Sequence, residues 1–527
     1  MMLANQTPVV RGRVLGLGIA RAFVLLGLEA QPVRVEVTTT RGPSFFQMVG
    51  LAEAAVRESR VRVASALANL GVLLDEYAIT VNLAPGDLRK SGAALDLAIA
   101  VALLAALGVA NAKRCQDVQL CGELSLEGLL LPMRGLLPLL EGAKRHGMEE
   151  AVVPAINSAE AGLVRGMRVF VAGNLREVLA HINGEALLPL APETTALTET
   201  SSTTGDLSEV RGQPGARRAL EIAAAGHHNL LFVGPPGGGK TLLARRIPSI
   251  MPELTHAEAI EVTAIHSVVG LVDARAGMVT RRPFRAPHHS VSEAALVGGG
   301  DVPRPGEISL AHLGVLFLDE LAEFRRSALE ALRQPLEDGR VCISRARASS
   351  WFPARPLVVA AVNGCPCGYY GHPTRLCRCT EQRRLRYAQR LSGPLLDRFD
   401  IHCPVPPVEM DVLDQATVTE SSAQVQRRVR TARNAQSQRH QEVFGQPRSN
   451  GELTLSELEK LSPLDQESRR LLQAAGRQLG LSARAYVRIL RVALTIADLQ
   501  GTSSISAEHV AEAIQGRLLD RQPSLKG

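Results

Sequence analysis

The stretch Gly234-Pro235-Pro236-Gly237-Gly238-Gly239-Lys240-Thr241 has the residue types that hold a polyphosphate. Glycines let successive backbone N–H groups turn inward around an anion, and a helix start behind them adds its positive dipole end. An apolar run, Asn229-Leu230-Leu231-Phe232-Val233, precedes the stretch, and Leu242-Leu243-Ala244-Arg245-Arg246-Ile247 follows it. Strand, glycine turn and helix start are the context this spacing requires. The segment from Gly234 to Leu242 is therefore expected to cradle the phosphates of ATP. Lys240 would reach the β- and γ-phosphates, and the Thr241 hydroxyl would bind Mg²⁺. A bare Gly/Pro turn without a ligand is the plain alternative, and the residues that follow weigh against it.

A second apolar run, Gly314-Val315-Leu316-Phe317-Leu318, ends in Asp319-Glu320. Metal-assisted phosphoryl transfer uses one carboxylate to help hold Mg²⁺ (Asp319) and a neighbour to orient and polarise water (Glu320). Adjacent acids at a strand end are often only surface residues. Lying about 80 residues beyond a phosphate loop, they read as part of one site. A third run, Pro356-Leu357-Val358-Val359-Ala360-Ala361-Val362, ends at the polar Asn363.

Two residues later begins a cluster of thiols, Cys365-Pro366-Cys367 and Cys377-Arg378-Cys379, separated by nine residues. Four thiolates can close a tetrahedral Zn²⁺ site, although C-x-C is a less frequent chelate than C-x₂-C. His372 could replace one ligand, and free thiols are the alternative reading. No βαβ context with a C-x-x-C argues for redox chemistry.

These residues need a scaffold, and the 527-residue chain is long enough for two to four domains with their own cores. Four of the eight cysteines are crowded into one loop, which suits metal ligation in a reducing compartment better than a secreted disulfide framework. A net charge of +7 permits a polyanionic partner without requiring one. Residues 97–110 are too short an apolar run to span a bilayer comfortably and read as a core helix. Arg21 interrupts the apolar stretch near the N-terminus and no clear cleavage site follows it. A cytoplasmic protein without membrane contact is expected. Residues 33–38 and 77–83 read as strands, and residues 53–70 and 94–107 as helices. From 187 to 208 the chain is rich in Thr, Ser, Pro and Glu and reads as a linker.

Residues 1–186 resemble the Lon-protease-like domain through Lys90-Ser91-Gly92-Ala93-Ala94, Gly122-Glu123-Leu124-Ser125-Leu126-Glu127-Gly128 and Leu131-Pro132-Met133-Arg134-Gly135-Leu136-Leu137. The family's nucleophilic serine falls on Ala94 and its lysine on Leu137. Neither side chain can attack a carbonyl or activate an attacker, so the resemblance implies the fold without the peptidase.

The three strands with their polar ends resemble the AAA+ ATPases, with Asn363 in the place that senses the γ-phosphate. Leu395-Leu396-Asp397-Arg398-Phe399-Asp400 is similar to the arginine-finger segment of the replicative-helicase and magnesium-chelatase branch. That resemblance implies that Arg398 reaches a neighbouring subunit's site in a ring, a homo-hexamer; a structural salt bridge is the other role open to it. Ser482-Ala483-Arg484-Ala485-Tyr486-Val487-Arg488 opens a helix with Ser482 as its N-cap. By resemblance Arg484 is the sensor 2 arginine, with Arg488 the second choice. Residues 339–352 resemble the pre-sensor-1 hairpin of the same branch, with Arg345 and Arg347 at a tip suited to backbone phosphates. A solvated turn is the alternative. His288 and His289, beside Arg281-Arg282-Pro283-Phe284-Arg285 and Gly298-Gly299-Gly300, are read as nucleic-acid or interface residues of a second pore element. Arginines at 383–390 and 427–439 extend the basic surface, although such runs are usually solvated helix faces.

Ala264-Ile265-His266-Ser267, Pro303-Arg304-Pro305-Gly306-Glu307-Ile308-Ser309 and Cys365-Pro366-Cys367-Gly368-Tyr369-Tyr370-Gly371, taken with the motifs above, resemble the ComM/YifB family of bacterial magnesium chelatase-like competence proteins. The resemblance implies an α/β chain: a peptidase-inactive Lon-like α+β domain (1–186), a linker (187–208), an AAA+ core of the helix-2-insert/pre-sensor-1 hairpin branch (209–410) and a helical lid (411–527). It also implies a hexameric, ATP-driven helicase acting on single-stranded and branched DNA. Its branch migration would help incoming strands recombine during natural transformation. Gly238 departs from the Ser or Thr of many AAA+ loops but removes no phosphate donor. A magnesium-chelatase motor subunit and a protein-remodelling ATPase are the alternatives from other classes.

Overall fold

The computed structural model describes residues 14–51, 54–88, 90, 94–193, 205–273, 276–300, 302–345, 348–372, 374–408, 411 and 419–517. Strands β1 (Val14–Leu26), β2 (Glu29–Arg41), β3 (Phe45–Val49), β4 (Tyr77–Ala84) and β5 (Val118–Leu120) open the first unit. A small hairpin, β6 (Glu123–Leu124) and β7 (Leu130–Leu131), then leads to β8 (Glu150–Pro154) and β9 (Arg168–Ala172). Seven of them form a mixed sheet in the order β3-β4-β2-β1-β5-β8-β9. Val33, Val35 and Val37 alternate inward along β2 and are fully or almost fully buried, the period-2 pattern of a sheet with one face on the core. The expected core helix is Asp96–Ala106, buried along its whole length. It reaches the sheet because β1 carries Gly18, where a Cβ would lie 1.8 Å from the Ala102 carbonyl oxygen.

The second unit is a five-stranded sheet of neighbours that all run parallel. Its members come in chain order as β10 (Leu230–Val233), β11 (Phe284–Arg285), a ribbon β12 (Gly298–Gly299) with β13 (Arg304–Pro305), β14 (Val315–Leu318), a hairpin β15 (Arg340–Arg345) with β16 (Ala348–Pro353), β17 (Leu357–Val362) and β18 (Ile401–Pro404). The sheet order is β11-β14-β17-β10-β18. Every residue of β14 and β17 is buried, which explains why they read as unbroken apolar runs: both faces are covered. Phe232, Phe317 and Val359 face one apolar cluster with the helix Lys240–Ile250, while Leu316, Leu318 and Val358 face another with Phe324, Phe352 and Phe399.

Helices Ser422–Phe444, Gln466–Leu479, Ala483–Leu499 and Ala507–Gln515 form the C-terminal part. The Ser482 hydroxyl accepts from Ala485 N at 3.1 Å, the expected N-cap. Among the described residues, no helix is long and apolar enough to cross a membrane.

The first unit is bolted to the second at two places. Helix Leu136–Arg145 shares an apolar cluster with Val262 of helix His256–Val269. There the buried Glu160 accepts from Leu137 N (2.9 Å) and from the Ser267 hydroxyl. Leu137, at the lysine position of the Lon-like pattern, is fully buried in that cluster. At the second place the β1–β2 turn meets the β15–β16 hairpin: a Cβ on Gly27 would stand 2.8 Å from Ser350 Cβ, and Leu28 packs against the cluster containing Phe352. Of the stretch 187–208, residues 194–204 lie outside the described residues. Pro189 and Ala191 instead run along β9 through Val171 N to Pro189 O (2.9 Å) and Ala191 N to Val169 O (2.7 Å).

Candidate nucleotide site

The glycine loop leaves the C-terminal end of β10, and the helix Lys240–Ile250 starts on Gly239, whose φ of 80° is left-handed. Gly234 must lack a side chain, since a Cβ there would sit 2.1 Å from the Val405 carbonyl oxygen. The Lys240 ammonium bonds the carbonyl oxygens of Gly234 (2.6 Å) and Pro235 (2.9 Å) and Asn363 Oδ1 (3.0 Å). Burial pushes its pKa below the ordinary value, against the pull of Asp319 and Glu320. These three acceptors occupy all three ammonium N–H donors; a phosphate oxygen would take the place of a loop carbonyl with a stronger, charge-assisted bond, so the residues fit a triphosphate.

Thr241 Oγ1 donates to Asp319 Oδ2 at 2.8 Å, and Asp319 Oδ1 accepts from Glu320 N at 3.0 Å. A hydroxyl and a carboxylate within hydrogen-bond reach are the hard oxygen donors that Mg²⁺ prefers. Glu320 has φ 52°, an uncommon conformation for a residue with a Cβ. Its carboxylate lies 3.4 Å from His289 Nδ1, and the His288 and His289 rings are 4.0 Å apart. The structure thus brings Lys240, Thr241, Asp319, Glu320, Asn363 and His289 to one end of the sheet. Gln213 joins them unannounced, donating to Pro406 O (2.5 Å) and Gly238 O (3.3 Å) behind the loop.

Arg398 and Arg484 are elsewhere. Both line a cavity of about 830 Å³ that also holds Asn229 and Pro356, which precede β10 and β17. The cavity is therefore at the opposite end of the strands from the phosphate loop. Arg355, Arg448, Arg488 and Arg491 join them there, against Glu337, Asp338, Asp400 and Glu452, an excess of cationic groups suited to an anion. Arg398 is mostly buried and ion-paired with Glu337. Arg488 is tied to Phe399 O (3.3 Å) and Asp400 (3.4 Å), while Arg484 is exposed on the wall.

The expected hairpin is present as β15 and β16; Arg347 lies outside the described residues. Trp351, the only tryptophan of the sequence, stands on β16 with the Arg340 guanidinium 4.3 Å over its ring. Two arginines of the basic run 427–439 are matched by acids inside the chain, while Arg427 and Arg430 are exposed. Arg428 pairs with Glu221 (2.5 Å) and Glu420 (2.7 Å), and Arg439 with Asp498 (2.6 Å). Arg383 and Arg386 remain exposed.

The four thiols of the loop after Asn363 converge, all four Sγ atoms lying within 4.8 Å of one another. Cys365 Sγ is 3.3 Å from Cys367 and 3.6 Å from Cys377, and Cys367 is 3.7 Å from Cys377. These separations exceed a disulfide bond of about 2.05 Å. They approach the ~3.8 Å edge of a tetrahedron with Zn–S bonds of about 2.3 Å. His372 accepts backbone N–H bonds from Thr374 and Arg375 and is not part of the cluster.

Residues 206–413 match the family described as magnesium chelatase, subunit ChlI. Residues 35–157 match the one described as subunit ChlI of Mg-chelatase, and residues 419–517 the C-terminal part of ChlI. An uncharacterized protein YifB of Salmonella typhimurium is 44% identical over 511 residues, covering 96% of this chain and 98% of that protein. Competence protein ComM of Haemophilus influenzae is 43% identical over 511 residues, with the same coverage of 96% and 98%. A Lon protease of Citrifermentans bemidjiense is 26% identical over 201 residues, 36% of this chain and 24% of its own.

Proposed function

The chain belongs to the ComM/YifB family of magnesium chelatase-like proteins, and from that premise we propose that it is an ATP-driven DNA motor of the AAA+ type. The observation that carries the ATPase reading is the joint placement of Lys240, Thr241, Asp319, Glu320 and Asn363 at the C-terminal ends of parallel strands. Ligands of open α/β sheets bind at that edge. ATP with Mg²⁺, when bound, supplies the phosphoanhydride and the neutralising charge. Lys240 holds the phosphates, Thr241 and Asp319 hold the cation, Glu320 orients the attacking water and Asn363 links the third strand to the Lys240 amine.

The working unit is a ring of identical chains, read here as a hexamer. Support comes from the cavity holding Arg398 and Arg484, which β10 separates from its own phosphate loop. A strand of four residues spans about 13 Å, so these arginines serve a neighbour's nucleotide rather than their own. The β15–β16 hairpin, through Arg345 and Arg347 of the stretch that joins its strands in sequence, takes the sugar-phosphate backbone of single-stranded or branched DNA. The name of the Haemophilus relative supports placing this motor in natural transformation, where branch migration would extend recombination of an incoming strand. The tetrathiol cluster takes Zn²⁺.

The matched chelatase description favours a second reading, a motor that remodels a partner protein. Unwinding of forked and four-way DNA separates the two. The wild-type chain should separate strands with ATP and the Glu320→Gln variant should not. ATP hydrolysis without strand separation on either substrate would reject the DNA reading.

A further inference from the structure

The cysteine loop touches the phosphate loop where Gly368 approaches Pro236. Residues 365–379 form no helix or strand among the described residues, and Leu376 is 92% exposed. A loop this long with little apolar packing needs another source of order. Its sulfurs supply one. Tyr370 N donates to Cys365 Sγ (3.3 Å) and Cys379 N to Cys377 Sγ (3.4 Å), the backbone N–H support that orients thiolates toward a metal.

Two attachments run from this loop to the nucleotide site. Asn363, two residues before Cys365, bonds the Lys240 amine at 3.0 Å. Gly368, inside the cluster's first turn and at φ 82°, lies so close to the phosphate loop that a Cβ on it would come within 2.9 Å of Pro236 Cδ. The far end is anchored too, with the Arg384 guanidinium 4.4 Å over the Tyr370 ring. The sulfur cluster therefore closes a circuit whose two ends grip the phosphate loop, at Pro236 and through Lys240.

We propose that Zn²⁺ held by Cys365, Cys367, Cys377 and Cys379 acts as a strut that keeps the phosphate loop in its nucleotide-receiving shape, with Gly368 on Pro236 as the contact that transmits it. This rests on the reading of residues 234–241 as a nucleotide site. Binding of the soft cation fixes the loop, the loop fixes Pro236, and the amides behind Pro236 stay aimed at the phosphates without reordering on each cycle. Preorganised sites bind more tightly because less order has to be imposed on binding.

The experiment measures two quantities on the full chain: zinc per chain, and the Kd of a fluorescent ADP analogue. Wild type should carry about one zinc per chain. Removing zinc with a chelator selective for soft cations should weaken ADP binding about tenfold, and zinc alone should restore it. Cys377→Ser/Cys379→Ser should behave like the stripped protein. Gly368→Ala, which leaves all four thiols in place, should keep its zinc and still lose about tenfold in affinity. An unchanged Kd in the stripped chain, together with retained zinc and an unchanged Kd in Gly368→Ala, overturns the strut. A chain that binds ADP but contains no zinc overturns it as well and leaves the ATPase reading standing. A zinc-loaded chain that binds no nucleotide overturns the ATPase reading itself, and the strut with it.

Discussion

The imidazole of His289 stands 3.4 Å from the carboxylate of Glu320, joining the segment after β11 to the end of its neighbour β14. A carboxylate engaged from the side is not free to polarise water. The segment after His289 leads into the ribbon β12–β13, and a Cβ on Gly298 of that ribbon would lie 2.8 Å from Ile343 Cδ1 on the β15–β16 hairpin. His289 thus sits on a short path from the hairpin to Glu320, the acid proposed to activate water. His289→Ala should raise ATP turnover without DNA about two- to fivefold, the scale of one exposed polar contact. It should also shrink the stimulation that DNA gives. Steady-state phosphate release measures both, and an unchanged basal rate would show that the contact restrains nothing.

Arg398 and the phosphate loop lie at opposite ends of β10, which makes shared sites testable by mixing. Arg398→Ala and Lys240→Ala chains should each lose on the order of 10³-fold in turnover. Mixed rings should regain activity where an intact phosphate loop meets an intact arginine. Equal inactivity of the mixture and its components would assign Arg398 to the Glu337 ion pair alone.

His228 is fully buried, with Nε2 2.7 Å from Thr495 Oγ1 of the C-terminal helix Ala483–Leu499. Burial drives its pKa from 6.5 down to about 4. The folded state therefore keeps this ring neutral while the unfolded chain protonates it. The corresponding stability is full above pH 6.5 and is lost progressively as pH falls toward 4, by at most about 3 kcal/mol for this shift. Urea midpoints at several pH values, compared between wild type and His228→Gln, check it. The variant should show the shallower fall below pH 6.5, and parallel curves would contradict the assignment.

Trp351 gives the hairpin its own optical reporter, since the chain's tryptophan emission comes from it alone. Single-stranded DNA should change that emission, and the apparent affinity should fall steeply with salt. Arg345→Ala/Arg347→Ala should lower the log–log salt slope by about 1.4, the value for two lost phosphate contacts on a single strand. An unaltered slope would leave the tip without a phosphate role.

The candidate nucleotide site was legible because its parts are contiguous. A glycine loop between an apolar run and a helix start, and acids at the end of another apolar run, need no tertiary knowledge to be recognised. The strands behind them were equally plain, since burial on both faces leaves no polar alternation to confuse the reading. What escaped depends on contacts between distant segments. His289 meets Glu320, Gln213 reaches Gly238 and Pro406, and Arg398 finds Glu337 only once the sheet is assembled. The arginine run after 427 looked like open basic surface because Glu221 and Asp498, which pair with Arg428 and Arg439, are far from it in the chain.

The most direct test of a DNA-driven motor is ATP turnover with and without single-stranded DNA at rising salt. Turnover should rise several-fold with DNA at low salt, lose that stimulation as salt displaces the phosphate contacts, and vanish in Glu320→Gln. Turnover that ignores DNA at every salt concentration would contradict the account.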